Sequence, residues 1–549
     1  MPSPQFEITR QAVKAVLAQR AIFRKTWEEA GFWSETTLYD RVLTGVEKSP
    51  NAKLIYWSET RPAETTLSQA LADSEILARS FAAHGLGAGD VIVIQVPHWR
   101  EGMLAWLAAL RLGLIVVPLV HIYGASELGF VLRQTCAKAL ITPAAWRNID
   151  YAQRFSALGE TPDLKMIAVI GEGAFPGPAI AWDALVTEGR GLAPVPAHKG
   201  SADDICVVIY TSGTTSVPKG ALHSHNTLGA DLLIVHGWWE DHSPRPALAA
   251  MPAGHMAGFL IMMRPFILGD DSIHIDQWDP AAAANLVRKY KIRTTTGTPY
   301  HANTLFDAAG AAGIRPLSDM MIGGASVPPS TVTRADALGV CIARAYGSTE
   351  HPTISTGKPY DTAEQRANTD GRIMDCIALR LIDDDGNAVP PGSPGEILSM
   401  GPDLCLGYFD AKLNLTEFTP DGWFRTGDIG LVDANNMLTI VDRKKDIIIR
   451  GGENISSREV EDILSTLPGV VESAVLGWPD AVLGERVGAF LKMAPGATTN
   501  IEEIKKFFAK TGVAKQKTPE QLMFIDEFPR TPSGKVKKAE LRKSLLSQK

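Results

Sequence analysis

The sequence predicts an α/β protein: a large N-terminal part of several subdomains, built mainly on parallel sheets with a small β subdomain, followed by a small α+β C-terminal domain. Three observations predict it. Apolar runs alternate with helix-like segments between Asp90 and Pro143, short β-like segments fill Asp370 to Met400, and the texture changes again after the run DRKKDIIIRGGEN that begins at Asp442. With 549 residues, 45% of them apolar and 21% charged, the chain exceeds one ordinary domain and is far too apolar to be disordered.

In order along the chain, DVIVIQVP reads as a strand, EGMLAWLAALRLG as a helix, LIVVPL as a strand, SELGFVLRQTC as a helix and KALITP as a strand, the spacing of parallel βαβ units. KMIAVIG and DDICVVIY are further near-continuous apolar runs, as expected when both faces of a sheet are covered. Asp279 followed by Pro280 supplies an N-cap and a first-turn proline for the helix AAAANLVRKYK, and RTTTGTP follows as a strand. MMIGGASVP and ARAYGSTE each end a strand in a glycine-bearing turn, where backbone approaches a ligand closely. DDDGN and PPGSPGE break the Asp370 to Met400 region into hairpins. Beyond Asp442 come helix REVEDILSTL, strands VVESAVLGW and ERVGAFLKM, helix IEEIKKFFAK and a basic tail.

Lys plus Arg number 54 against 61 Asp plus Glu, a net charge of -7, which argues against a dedicated nucleic-acid binder. Cys136, Cys206, Cys341, Cys376 and Cys405 are odd in number, scattered and never spaced CxxC, so neither a disulfide framework nor a zinc site is expected and a cytoplasmic location is the simplest reading. The start, MPSPQFEITRQAVKAVLAQR, lacks the apolar core of a secretion signal. Met103 to Val120 is the most apolar long stretch, but Arg111, Gly113 and Pro118 interrupt it, and a buried helix running into a strand explains it better than a membrane span.

The most informative segment is YTSGTTSVPKG, Tyr210 to Gly220. Its small residues let successive backbone N–H groups point into one concavity, Thr211, Ser212, Thr214 and Thr215 add hydroxyl donors around Gly213, and Lys219 adds a cation, a set suited to a polyphosphate. The lysine precedes the glycine, so the GxxxxGK[ST] loop of nucleoside triphosphatases is excluded.

Together with YGSTE (Tyr346 to Glu350), GWFRTGD (Gly422 to Asp428), DRKKD (Asp442 to Asp446), GGENI (Gly451 to Ile455) and PRTPSGKV (Pro529 to Val536), this loop resembles the adenylate-forming, AMP-binding enzyme family, whose members include acyl-CoA synthetases, aryl-acid ligases, luciferases and peptide-synthetase adenylation domains. The resemblance spans nearly the whole chain and implies a large adenylating domain, residues 1–441, a small mobile domain, residues 442–549, and a hinge at Asp442. It also implies ATP, Mg²⁺ and CoA as co-substrates or cofactors. The chemistry accounts for the residue types: a carboxylate becomes a good electrophile once it carries AMP, but two anions must first meet, so cations must screen the approach.

By the resemblance, Lys535 contacts the carboxylate and α-phosphate, Glu350 coordinates Mg²⁺, and Thr349 and Thr214 contact phosphates. Tyr346, with Gly347 beside it, stacks on adenine opposite Gly324, Ala325 and Ser326; Asp428 binds the ribose hydroxyls and Arg443 reinforces that side. Gly451 and Gly452 line the pantetheine tunnel in a second domain orientation. His255 matches a position near the acyl site and tunnel, while the residues alone equally allow a buried, hydrogen-bonded core histidine. Ser216 departs from the family, which usually has glycine there; if that site needs positive φ, serine costs about 1 kcal/mol or more.

No acidic residue near His255 offers to hold a substrate ammonium, and Trp238, Trp239, Met256, Phe259, Thr298 and Tyr300 are bulky and mostly apolar, so a hydrophobic carboxylic acid is expected, whether aliphatic, alicyclic or aromatic. CoA is the favoured acceptor. EEAGFWSETTLYDRV is reminiscent of aryl-acid-activating members, which keeps a carrier-protein acceptor open. A catalytically silent nucleotide-binding homologue is the third reading, opposed by the joint presence of Glu350, Asp428 and Lys535. A homodimer is compatible with all three.

Overall fold

A computed structural model describes residues 4–211, 218–238, 246–451, 453–480, 482–511, 513–531 and 534–546. Its large N-terminal domain rests on two broad sheets. One has seven strands in the order Lys219–Ser224, Ile205–Thr211, Ile115–Pro118, Val91–Ile94, Ala139–Pro143, Met166–Ile170 and Ala179–Ala181. All neighbours run parallel except Lys219–Ser224, which returns antiparallel to Ile205–Thr211. Ile92, Val93, Val116, Val117, Leu140 and Ile167 are completely buried, as the near-continuous apolar runs required.

The second sheet has nine strands. Six form a parallel centre, in the order Cys341–Tyr346, Asp319–Gly323, Thr294–Gly297, Ala247–Ala249, Ser272–Ile275 and Lys53–Trp57, with short antiparallel edges on either side. Helix Arg100–Leu112 belongs to the core cluster that also contains helix Met256–Leu268, and Trp106 stacks on Phe259 with ring centroids 4.3 Å apart. That burial explains the Met103 to Val120 run. No helix among the described residues is long and apolar enough to cross a membrane.

The β subdomain extends further than the sequence indicated. Its four antiparallel strands are Ala378–Ile382, Gly395–Met400, Phe424–Val432 and Leu438–Arg443, so GWFRTGD runs into a sheet strand. Phe424–Val432 alternates buried and part-exposed positions without the β-branched density of the other strands, which hid it. Register places Asp428 directly opposite Arg443.

The small domain pairs Val470–Asp480 and Gly484–Met493 antiparallel, adds Gln521–Phe524 parallel to the latter, and carries the hairpin Ile448–Arg450 and Glu453–Ile455. Helices Ser457–Leu464 and Ile501–Thr511 bury Val460, Leu464, Ile504 and Phe508 against it. At the other end of the chain, helix Pro4–Glu29 is tied to the large domain: the buried Arg20 donates to the carbonyls of Leu404 and Cys405 at 2.6 Å each, and Thr9 donates to that of Phe409 at 2.9 Å.

Candidate active site

The candidate residues gather where strands of both broad sheets end at their carboxyl termini, the position open α/β sheets offer to ligands. Strand Cys341–Tyr346 runs into a tight loop in which Ser348 N–H donates to the carbonyl of His351 at 2.8 Å and Ile354 N–H to that of Tyr346 at 2.9 Å. Only glycine fits at 347, since a Cβ there would lie 1.9 Å from the carbonyl oxygen of Pro352. The loop presents Thr349 and Glu350. His223, held neutral by burial that lowers its imidazole to about 4, places Nε2 2.8 Å from the Thr349 carbonyl and so donates to it.

Glu350 is buried, accepts the Tyr408 hydroxyl on Oε1 at 2.6 Å, and its carbonyl accepts Cys405 N–H at 2.7 Å. The segment carrying Tyr408 is the one that helix Pro4–Glu29 fastens, so the N-terminal helix reaches the site through Tyr408. Burial, then the neighbouring carboxylate, holds the Tyr408 phenol far above its usual range, keeping it a donor to Glu350. Lys219 lies 5.6 Å over the Tyr408 ring and donates to Glu417 at 2.6 Å. Sequence reasoning missed His223, Tyr408 and Glu417; none carries a local signal, because each acts across a long chain separation.

Beside this loop, Tyr346 donates its hydroxyl to Asp428 Oδ2 at 2.8 Å, and Arg443 Nε donates to Asp428 Oδ1 at 2.9 Å. Asp428 is buried and Arg443 exposed, so the carboxylate is braced from two sides at the floor of an open cleft. Gly324, Ala325 and Ser326 follow strand Asp319–Gly323 and are exposed on that cleft.

Lys535 enters from the small domain. Its turn is closed by Thr531 N–H to the Lys535 carbonyl at 2.8 Å, Lys535 N–H to Thr531 Oγ1 at 3.1 Å and an antiparallel bridge between Arg530 and Val536. The turn is seated on the large domain: the Arg530 guanidinium lies 5.2 Å over the Tyr300 ring, and a Cβ on Gly534 would lie 3.3 Å from Thr298 Oγ1. Lys535 Cε and Nζ come within 3.2 and 3.6 Å of the Cβ position of Gly324. Its surface is open to the cleft, yet the crowding protein, followed by Arg443, lowers the ammonium to about 8 against the opposing pull of Asp428 and Glu350. Lys535, Gly324, Glu350, Asp428, Arg443 and Tyr346 thus share one cleft.

His255 sits at the N-cap position of helix Met256–Leu268; burial, then the charge of Lys535, lowers it to about 4, so it is neutral. The apolar set divides. Met256 and Phe259 join the main core, with Phe259 fully buried on Trp106, and Thr298 pairs with His301 Nδ1 at 2.9 Å. Tyr300 is 40% exposed beneath Arg530, a contact between the two domains where the sequence suggested a pocket wall. Gly451, at φ +59, caps the hairpin tip against Leu483 within the small domain and touches none of the cleft residues. Asp442 is buried and accepts the Ser457 N–H, which starts helix Ser457–Leu464. Thr211 closes on the Lys219 carbonyl at 3.5 Å. Ser212, Gly213, Thr214, Thr215, Ser216, Trp239, Gly452 and the side chain of Trp238 lie outside the described residues. An open groove of about 620 Å³ lined by Thr65, Gln69, Asp73, Arg100 and Arg190 lies elsewhere and contains none of the candidate residues.

Among the described residues no three His, Cys, Asp or Glu side chains are grouped to hold a metal. A lone buried carboxylate such as Glu350 suits Mg²⁺, which takes one or two carboxylates and fills its shell with water and phosphate oxygens.

Comparison with known proteins places this geometry in context. A family model described as AMP-binding enzyme matches residues 44–409, and one described as AMP-binding enzyme C-terminal domain matches residues 459–535. The chain is 30% identical to the medium-chain fatty-acid–CoA ligase of Escherichia coli (strain K12) over 533 residues, covering 95% of this chain and 93% of that one. It is 32% identical to a feruloyl-CoA synthase of an Amycolatopsis species over 500 residues, covering 90% and 96%. In fold it matches the crystal structure of the anthranilate CoA ligase AuaEII in complex with anthranoyl-AMP, with a TM-score of 0.84, 23% identity and coverage of 94% and 99%.

Proposed function

From the premise that the chain belongs to the AMP-binding enzyme family, we propose that it is an AMP-forming acid–thiol ligase that converts a hydrophobic carboxylic acid and ATP to an acyl-adenylate and pyrophosphate, then transfers the acyl group to CoA with release of AMP. The observation that carries this reading is the meeting of Lys535 from the small domain with Gly324, Glu350 and Asp428 of the large domain, and with Arg443 at the end of strand Leu438–Arg443, in one cleft. One relative named above is a medium-chain fatty-acid–CoA ligase and another a feruloyl-CoA synthase, which supports CoA as the acceptor and a carboxylic acid of this class as substrate.

In the first step Lys535 stands between the substrate carboxylate and the α-phosphate, its positive charge lowering their repulsion as the new oxygen–phosphorus bond forms and pyrophosphate leaves. Tyr346 and the Gly324–Ala325–Ser326 turn take the adenine between them; Asp428, already braced by Tyr346 and Arg443, accepts the ribose hydroxyls. Thr349 donates to phosphate oxygens. Glu350 would hold Mg²⁺, which when bound neutralises phosphate charge. For the second step the small domain rotates about Asp442, withdraws Lys535 and brings Gly451 and Gly452 to the path of the thiol arm. His255, neutral and without charge of its own, lines the acyl side.

Two outcomes follow. Incubation with ATP, Mg²⁺, CoA and a panel of hydrophobic acids is expected to give AMP, pyrophosphate and an acyl-CoA thioester; adenylation with no thioester to CoA, but loading of a carrier protein, would move the enzyme to the aryl-acid ligases. Because Lys535 acts as a cation with its proton lost above about 8, kcat/KM for adenylation is expected to fall as pH rises through about 8. Lys445 is lowered to a similar value by burial, so the variant Lys535→Arg decides between them. Its alkaline limb should move to higher pH; an unmoved limb in pyrophosphate exchange would assign the titration elsewhere.

A further inference from the structure

Behind His255 the large domain holds a series of buried polar atoms with no hydrogen-bond partner among the described residues: His255 Nε2, His121 Nδ1, His98 Nδ1, both ring nitrogens of His274, and Tyr56 Oη. They are contiguous. The backbones cross at Gly254 and Val120, where a Cβ on Gly254 would lie 2.3 Å from Val120 N, so the following residues, His255 and His121, are neighbours. His98 and His121 follow adjacent parallel strands in which Ile94 pairs with Pro118. His98 donates Nε2–H to the Met251 carbonyl at 2.6 Å, its ring lies 5.4 Å from that of His274, and His274 stacks on Tyr56 at 4.8 Å.

Buried polar groups in native proteins are satisfied by protein, water or ligand, and a row of them leading away from a catalytic lysine calls for an occupant. The surrounding wall is aromatic, with Trp146 packed edge-on against His121 at 4.6 Å. Burial lowers His121 to about 3 and holds His98 and His274 below their usual range, so this buried cluster offers neutral imidazoles, each with one donor and one acceptor. Such neutral imidazoles, each able to donate and to accept, serve an uncharged polar group well.

We infer that this recess is the distal end of the acid-binding chamber and selects hydrophobic acids that carry an uncharged hydrogen-bonding substituent, a hydroxyl, ether or ketone, remote from the carboxylate. The inference rests on the ligase reading above and names its substrate class. A site built to hydrogen-bond a substrate hydroxyl discriminates strongly against the analogue lacking it, because the protein groups are then left unpaired.

The test compares matched pairs by pyrophosphate release: 3-phenylpropanoate with 3-(4-hydroxyphenyl)propanoate, and octanoate with 8-hydroxyoctanoate. The hydroxylated member of at least one pair is expected to have kcat/KM about tenfold or more higher, and His121→Leu to lower that ratio by about tenfold. Ratios near one in both pairs, or a preference that survives both His121→Leu and His98→Leu, would overturn the inference and leave the recess to ordered water. If the variants do not fold, the wild-type ratios decide. Turnover without preference defeats this inference alone; no turnover of any acid defeats the ligase reading with it.

Discussion

Replacing Lys535 with alanine is expected to slow acyl-adenylate formation by about 10²–10³-fold, the usual loss when one preorganised charge is removed from a developing anionic centre. Transfer from synthetic acyl-AMP to CoA should fall by much less, because the rotation proposed for the small domain takes Lys535 out of the cleft. The turn that bears it is closed by one backbone bond between residues 531 and 535, by the Lys535 N–H bond to Thr531 Oγ1 and by the Arg530–Val536 bridge, none of which involves the lysine side chain, so the substitution reports on charge and not on folding. Equal losses in the two half-reactions would remove Lys535 from its assigned role.

The largest expected loss of stability comes from Asp370→Ala. Asp370 is buried and accepts from Arg344 at 2.7 Å, from Arg458 of the small domain at 3.2 Å and from Ile440 N–H at 2.8 Å. Burial works against the charged carboxylate, but Arg458 and Arg344 prevail and hold it below the usual carboxylate range. Removing it takes the hydrogen-bonded carboxylate from two guanidiniums, one of them almost fully buried, and leaves Asp462 as their nearby counter-charge, so the cost is expected at about 3 kcal/mol, the lower end for a broken buried ion pair. Denaturant titration checks this, and a loss under about 1 kcal/mol would mean that water already compensates the arginines. The sign of the pH dependence follows from the depressed carboxylate: its contribution is complete above the unfolded value near 4 and disappears as pH falls through the lower folded value. Asp370 also links strand Leu438–Arg443 to helix Ser457–Leu464, since Arg458 donates to the Ile440 carbonyl at 2.7 Å as well. The variant should therefore impair seating of the small domain in addition to lowering stability.

Much of the fold was legible because its signals are local. The βαβ alternation from Asp90 to Pro143, the Asp279–Pro280 helix start and the element order of the small domain all appear where the patterns put them. The motif residues Tyr346, Glu350, Asp428, Arg443 and Lys535 also meet in one cleft, although nearly two hundred residues separate the first from the last. Apolar side chains were harder to assign. Phe259 and Tyr300 look alike as pocket candidates, yet one is core and the other lies between domains, since hydrophobicity states a preference for burial and not which neighbour provides it.

The sequence by itself determined the alternation of strands and helices, the kinds of groups available for acid activation and the family, because backbone preference and motif chemistry reside in a few consecutive residues. Tertiary structure alone decided which charges meet. Lys219 answers Glu417 across 198 positions, Tyr408 answers Glu350 across 58, and four histidines from separate segments gather with buried, unpartnered ring nitrogens among the described residues. Such pairings depend on how sheets close and which backbones cross, and a contact between distant residues leaves no mark on the local pattern of either.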